Sequence, residues 1–180
     1  ENPVGVSLQY DPVYSEIREA RRADDASVSQ GDWQTDLKTA DYRQVVNLAV
    51  PALTFRSKDL QISVWLCEAL SAQNGFVGLR DGIQLIRRLE ETYWGNLFPE
   101  IDEGDMEARA NAIGWLDTQL SLSIKKLPIT AASNYSFISW DESTRFDFPE
   151  NIESLEYEEQ EKAKNLRAQA ETEKRVTGEM

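Results

Sequence analysis

The sequence predicts an all-α protein, a compact bundle of about six or seven helices with a charged C-terminal helical or disordered extension. Three stretches carry that prediction. Residues 60–73 (LQISVWLCEALSAQ) spread Leu60, Ile62, Val64, Trp65, Leu66, Cys67, Ala69 and Leu70 around nearly the whole helix circumference. A helix apolar on all sides belongs in the middle of a bundle. Residues 79–93 place Leu79, Gly82, Ile83, Ile86, Leu89 and Tyr93 at steps of three and four, with Arg80, Asp81, Arg87, Arg88, Glu90 and Glu91 opposite, as a surface helix does. A third run, about 105–116, repeats the stripe with Met106, Ala110, Ile113 and Leu116.

The remaining elements follow from caps and breakers. Residues 1–10 read as an extended lead-in. Asp11 followed by Pro12 is a helix start, so residues 12–23 are expected to be helical. The polar stretch 24–36 reads as a loop anchored by Trp33. A second helix from about Asp41 aligns Tyr42, Val45, Val46, Ala49, Ala52 and Leu53, and Pro51 predicts a kink or break near Val50. Ser57 is expected to cap the central helix, with Asp59 in its first turn, and Asn74-Gly75 to end it. Residues 95–104 (GNLFPEIDEG) form a loop, followed by a helix over 105–117 and a shorter one to Leu127, stopped by Pro128. After a loop over 129–138, Ser139 with Glu142 reads as a capping box opening a short helix that ends before Pro149. From Asn151 the composition shifts to Glu, Lys, Arg, Gln and Ala without a continuous apolar stripe, which marks a solvated helix or a partly disordered tail. The domain is therefore placed at residues 3–148 and a charged linker at 149–180.

Composition narrows the function. The net charge is −13, and residues 141–180 carry 12 acidic and 6 basic side chains of it. Such a surface has no electrostatic footprint for nucleic acid and is repelled by anionic lipid. No apolar run approaches the ~20 residues of a membrane span, so no membrane insertion is expected. One cysteine allows no internal disulfide and agrees with a reducing compartment. The absence of His removes the commonest general base and metal ligand. Cys67 reads as a buried small hydrophobe with no activating base, and Glu68 beside it raises its pKa. The acids at 102, 103, 105 and 107 lack the register of a calcium loop and are better explained as charge at a helix start. GLRDG at 78–82 follows a helix and lacks the Lys and Ser/Thr of a phosphate loop. The doublets Arg21-Arg22, Arg87-Arg88 and Lys125-Lys126 read as surface, and Trp65, Tyr93, Trp94, Phe98 and Trp115 as core. No catalytic, cofactor-binding or metal-ligating residue is predicted, and the chain is read as a non-enzyme.

A set of short matches adds a family. SKDL at 57–60, WL at 65–66, GLRDG at 78–82, W-x-x-L-x-P-E-x-D at 94–102, A-R-x-N-A at 108–112 and WL at 115–116 occur in order, with GVSLQYDP at 5–12 and GDW at 31–33 upstream. Over residues 3–140 the chain resembles the ImpA N-terminal domain of the TssA family of the bacterial type VI secretion system. The resemblance implies a cytoplasmic, non-enzymatic assembly module that binds baseplate or tail tube/sheath components. It also implies that this chain is a fragment, starting at Glu1 rather than Met, whose tail leads to absent C-terminal domains that oligomerise. The fragment itself is expected to be a monomer or weak dimer, since its charge opposes self-association. One alternative is a related sheath cap or stopper protein carrying the same domain. The other, from a different class, is a helical regulatory or enzymatic domain with an unrecognised small-molecule pocket.

A bundle hides its apolar stripes, so loops and outward faces supply contacts. The loop 95–104 combines Leu97, Phe98, Pro99 and Ile101 with Glu100, Asp102 and Glu103. Its preferred reading is that Trp94, Leu97 and Phe98 plug the end of the bundle. The functional reading makes Phe98, Glu100, Asp102 and Glu103 a protruding partner contact.

Overall fold

A computed structural model describes residues 2–24, 37–143, 157, 159–162 and 164. Among these the protein is all-α, with six helical elements and only isolated β-bridges. They are α1 (Pro12–Ala20), α2 (Tyr42–Pro51), a π-helix (Ala52–Arg56), α3 (Leu60–Tyr93), α4 (Glu107–Lys126) and α5 (Phe137–Ser143). The chain divides into two compact units, Glu1–Ser121 and Leu122–Met180. The expected Trp33 anchor and the boundary at residue 148 lie outside the described residues. So does the tail, apart from Tyr157, residues 159–162 and Lys164, which are helical.

The first unit is organised on the first half of α3, as the sequence predicts. Leu60, Ile62, Val64, Trp65, Leu66, Cys67 and Ala69 are all buried. α2 packs against it through Val45 and Ala49, α1 through Ile17 and Ala20, and Leu8 of the lead-in closes the same cluster. α1 starts as predicted, with the Asp11 carboxylate accepting from Val13 N at 3.0 Å, but it ends at Ala20 rather than near residue 23.

α2 ends at Pro51, one residue beyond the kink or break expected near Val50. Pro51 occupies the last α-helical position, and after it the bonding register widens, with Ser57 N donating to Ala52 O at 2.9 Å in a π-type turn. The cap of α3 also differs from expectation. Asp59 is the N-cap, accepting from Ile62 N at 3.0 Å. Ser57 is extended and bridged to Gly5, with its hydroxyl buried and unpartnered. Two cap-type residues stand within three positions, and pairing with the lead-in takes Ser57 away from the role.

Gly75, at φ 59° and ψ −139°, interrupts α3 where Asn74-Gly75 predicts a stop. The chain then folds back at once, and the second half (residues 76–93) begins three residues earlier than predicted. GLRDG explains itself here. A Cβ on Gly82 would lie 2.7 Å from Cys67 Cα, and one on Gly78 would lie 2.0 Å from Leu70 O. Both glycines let the halves of α3 approach backbone to backbone. Leu79, Ile86 and Leu89 face inward as expected, whereas Ile83 is exposed.

α4 corrects two expectations. It is one helix from Glu107 to Lys126, not two. Its buried face is Arg109, Ala112, Leu116 and Leu120, so Met106 and Ile113 of the predicted stripe point outward. In the second unit, α5 opens at Phe137 rather than at a Ser139–Glu142 box. Ser136 and Ser139 cap it reciprocally: Ser139 N donates to Ser136 Oγ and Ser136 N to Ser139 Oγ, each at 3.3 Å.

Candidate interaction surface

The loop between α3 and α4 is fixed from two sides. On one side its backbone joins the start of α3: Phe98 N donates to Lys58 O at 3.0 Å, and Leu60 N donates to Phe98 O at 2.7 Å. On the other side Arg109 enters from the first turn of α4 with 2% of its surface exposed. Its Nε donates to Pro99 O at 2.7 Å, its Nη1 to Trp94 O at 2.6 Å, and its Nη2 to Leu97 O. The guanidinium also lies 4.8 Å from the centre of the Trp94 ring, whose outer side is exposed. Burial pulls the pKa of Arg109 below the ordinary arginine value, opposed by the charge of Glu90. Guanidinium nevertheless stays protonated in proteins, so three carbonyls that a loop leaves orphaned find a permanent cationic donor.

This clamp separates the four candidate contact residues. Leu97 is fully buried and Phe98 is 5% exposed, so they plug the fold as the preferred reading expects. Trp94 does so only in part, because its outer face is open. Glu100, Asp102 and Glu103 remain exposed. Beyond them Glu103 (φ 48°) and Gly104 (φ 89°) reverse the chain, and Asp105 N donates to Asp102 O at 2.7 Å. Asp105 Oδ1 accepts from Glu107 N at 2.7 Å, which makes the acidic run the start of α4. Among the described residues no group of three His, Cys, Asp or Glu is placed to hold a metal. Sequence reasoning missed Arg109, whose one available signal is the A-R-x-N-A match.

Other chemistry-bearing groups are already committed. Burial pushes the Cys67 thiol up to about 11, with Glu68 adding to the effect. Arg21, read from sequence as surface, is enclosed: it pairs with Glu68 at 2.9 Å and stacks 4.3 Å from the Trp115 ring. The doublet misled because its two members face differently, with Arg22 pairing outward to Glu19 and Asp24. An open groove of about 670 Å³ runs past Tyr10, Tyr14 and Arg18. Its carboxylate, Asp11, is held below the usual range by the Arg56 guanidinium and by Val13 N–H. No helix among the described residues is long and apolar enough to cross a membrane.

Comparison with known proteins agrees with this architecture. Residues 1–118 match the family model of ImpA, N-terminal, type VI secretion system. The chain is 30% identical over 116 residues to the type VI secretion system component TssA1 of Pseudomonas aeruginosa, covering 63% of this chain and 33% of that protein. The solved N-terminal domain of the TssA component from Burkholderia cenocepacia, which includes the conserved ImpA_N region, superposes with a TM-score of 0.66 at 28% identity. That match covers 79% of this chain and 53% of the solved one. The chain thus spans about a third of the length of the curated relative. With a family model matched over most of the first unit, the chain belongs to the ImpA N-terminal family of the type VI secretion system, as a TssA-type domain.

Proposed function

We propose that this domain is a non-enzymatic assembly module of the type VI secretion system, working in the cytoplasm and binding baseplate or tail tube/sheath components. The contact is the loop carrying Glu100, Asp102 and Glu103, with Phe98 as its buried footing. One observation carries the reading: Arg109 immobilises the loop from inside while its three acids stay exposed and unpaired with any described residue. A contact ordered before binding loses little entropy when the partner arrives. By itself this fragment is a monomer or weak dimer, and the rest of the protein arrays several copies, so that weak single contacts gain strength by avidity.

Charge reversal tests the loop. Glu100→Lys, Asp102→Lys and Glu103→Lys together are expected to leave the melting temperature unchanged and to abolish capture of purified baseplate or sheath components in a pull-down. Undiminished capture by the folded triple variant would exclude the loop, and the outer face of residues 79–93 would then be the next surface to test.

A further inference from the structure

Between Glu100 and Ser121 the chain carries six acidic side chains, Glu100, Asp102, Glu103, Asp105, Glu107 and Asp117, and a single basic one, Arg109. All six carboxylates are exposed while the arginine is buried, so every charge that residues 100–121 present outward is negative. None of the six is ion-paired with a described residue. Beside these charges α4 and the residue before it expose a short apolar stripe among polar neighbours. Met106 is 48% exposed and Ile113 36%, with the exposed Ala110 between them at helical spacing. Next to Ile113, Gly114 leaves the surface low, with open space where a Cβ would stand.

This stripe flanks the buried face on which Arg109 lies. The three carbonyls that hold the guanidinium fix the rotation of the first turns of α4, and Met106, Ala110 and Ile113 are left partly open to solvent. A short apolar stripe bordered by unpaired charge of one sign is complementary to a helix with the same stripe and the opposite charge. We infer that this corner docks a basic amphipathic helix of a partner protein, its apolar side on Met106, Ala110 and Ile113 and its flanking Lys or Arg side chains on the surrounding carboxylates. The inference rests on the proposed role of the 95–104 loop and adds to it the partner's chemistry and the outer face of α4. Charge decides against the nearer occupants. A second copy would bring a molecule of net charge −13 against the same acids. The chain's own residues 141–180, with 12 acidic and 6 basic side chains, are of the wrong sign as well. Met106 suits the role, since an unbranched thioether adapts to an incoming apolar surface.

The test uses the full chain and three labelled synthetic peptides, read by fluorescence anisotropy near physiological salt. One is a Leu/Lys helix with its leucines on one face, one has the same composition in shuffled order, and one replaces Lys by Glu. The amphipathic Leu/Lys peptide is expected to bind at least about tenfold tighter than the shuffled one, and the Glu peptide not at all. Met106→Ser with Ile113→Ser should erase that preference, as should Ala110→Glu, which keeps helix propensity and sets a charge into the stripe. Ile83→Ser, at an exposed apolar position on α3, should leave it intact. Equal binding of amphipathic and shuffled peptides would reduce the effect to bulk charge attraction and overturn the inference. Unchanged binding by the stripe variants, or an equal loss with Ile83→Ser, would overturn it too. The two readings fail separately. Undiminished capture of secretion components by the charge-reversed loop removes the loop's role, whereas loss of that capture with no peptide preference removes only the amphipathic-helix partner.

Discussion

The crossing of α2 with the first half of α3 and the corner formed by residues 94–109 are held by opposite means. At the crossing, Val45, Ala49, Ile62, Leu66 and Ala69 meet with little or no exposed surface, and stability comes from apolar area withdrawn from water. At the corner a single cation does the holding, because an irregular loop has carbonyls that no helix satisfies, and Arg109 donates to three of them. Apolar packing is distributed, so many residues share it and any smooth surface results. A guanidinium clamp is concentrated in one side chain. It permits a rigid loop whose outer side is free to be chosen for recognition. In this domain the apolar crossing makes the fold, and the clamp makes a presentable surface.

The contrast breaks first at the crossing. Leu66→Ala removes a buried side chain from a close-packed centre and is expected to cost about 2–5 kcal/mol. Trp65→Ala belongs to the same range. Thermal or denaturant unfolding checks both, with loss of one cooperative transition as the expected form. A variant that melts like the parent would mean that the first half of α3 is not the centre of the unit.

Arg109→Leu sharpens the comparison, since leucine keeps bulk and discards the donors. Leaving buried carbonyls unpaired costs about 1–3 kcal/mol each, and water reaching the opened loop recovers part of that. A net loss of about 3 kcal/mol is expected. Its distinguishing mark is locality: amide hydrogen exchange should accelerate over residues 94–105 well before the α2–α3 crossing responds. Uniform acceleration across both regions would show that the clamp and the core form one cooperative unit.

The same contrast explains what was legible in the sequence. Residues 60–73 are apolar all round, and no tertiary detail is needed to bury such a helix. Asp11-Pro12 and Gly75 act through their own backbone chemistry, so the start of α1 and the turn inside α3 were also readable. The corner was not. Periodicity alone sees Met106, Ala110, Ile113 and Leu116 as a stripe, and assigns an arginine at position 109 to solvent. Only the carbonyls of residues 94, 97 and 99, brought close by the fold, turn that arginine inward and rotate α4. The cap of α3 failed for a related reason: Ser57 and Asp59 are equivalent locally, and pairing with Gly5, more than fifty positions away, decides between them. Of the proposed contact, the exposure of Glu100, Asp102 and Glu103 followed from composition. The burial of Phe98 depends on its backbone pairing with residues 58 and 60.

Asp59 joins the two regions, capping α3 with its side chain while its neighbours bond to Phe98. Burial pushes its carboxyl up to about 6, against the lowering by the N–H groups of Ile62 and Gln61. The sign follows directly. A folded-state pKa above the unfolded value means that the folded protein holds the proton more tightly. This group therefore favours folding at low pH, and its contribution falls as pH rises from about 4 towards 6. Asp59→Asn keeps a capping side chain and removes the titration. The variant is expected to gain on the parent progressively across that window and to hold a gain of on the order of 1–2 kcal/mol above it. Parallel stability profiles for parent and variant between pH 4 and 7 would show that the Asp59 carboxylate is well solvated.

The smallest expected effect lies on α4, where neighbouring positions separate the two kinds of surface. Leu116 points into the unit and Ile113, less than one turn before it, points out. Both belonged to one stripe on periodicity alone. If the rotation imposed by Arg109 is right, Ile113→Ser should change stability by no more than about 0.5 kcal/mol, as surface substitutions do. Leu116→Ala should cost several times that. Met106→Ser should behave like Ile113→Ser, because Met106 is likewise partly open to solvent. The pair is decisive because serine at a buried isoleucine position would lose both apolar burial and packing, so a misplaced assignment cannot pass unnoticed. A loss above about 2 kcal/mol for Ile113→Ser would return the stripe to the interior, in line with large-to-small core substitutions.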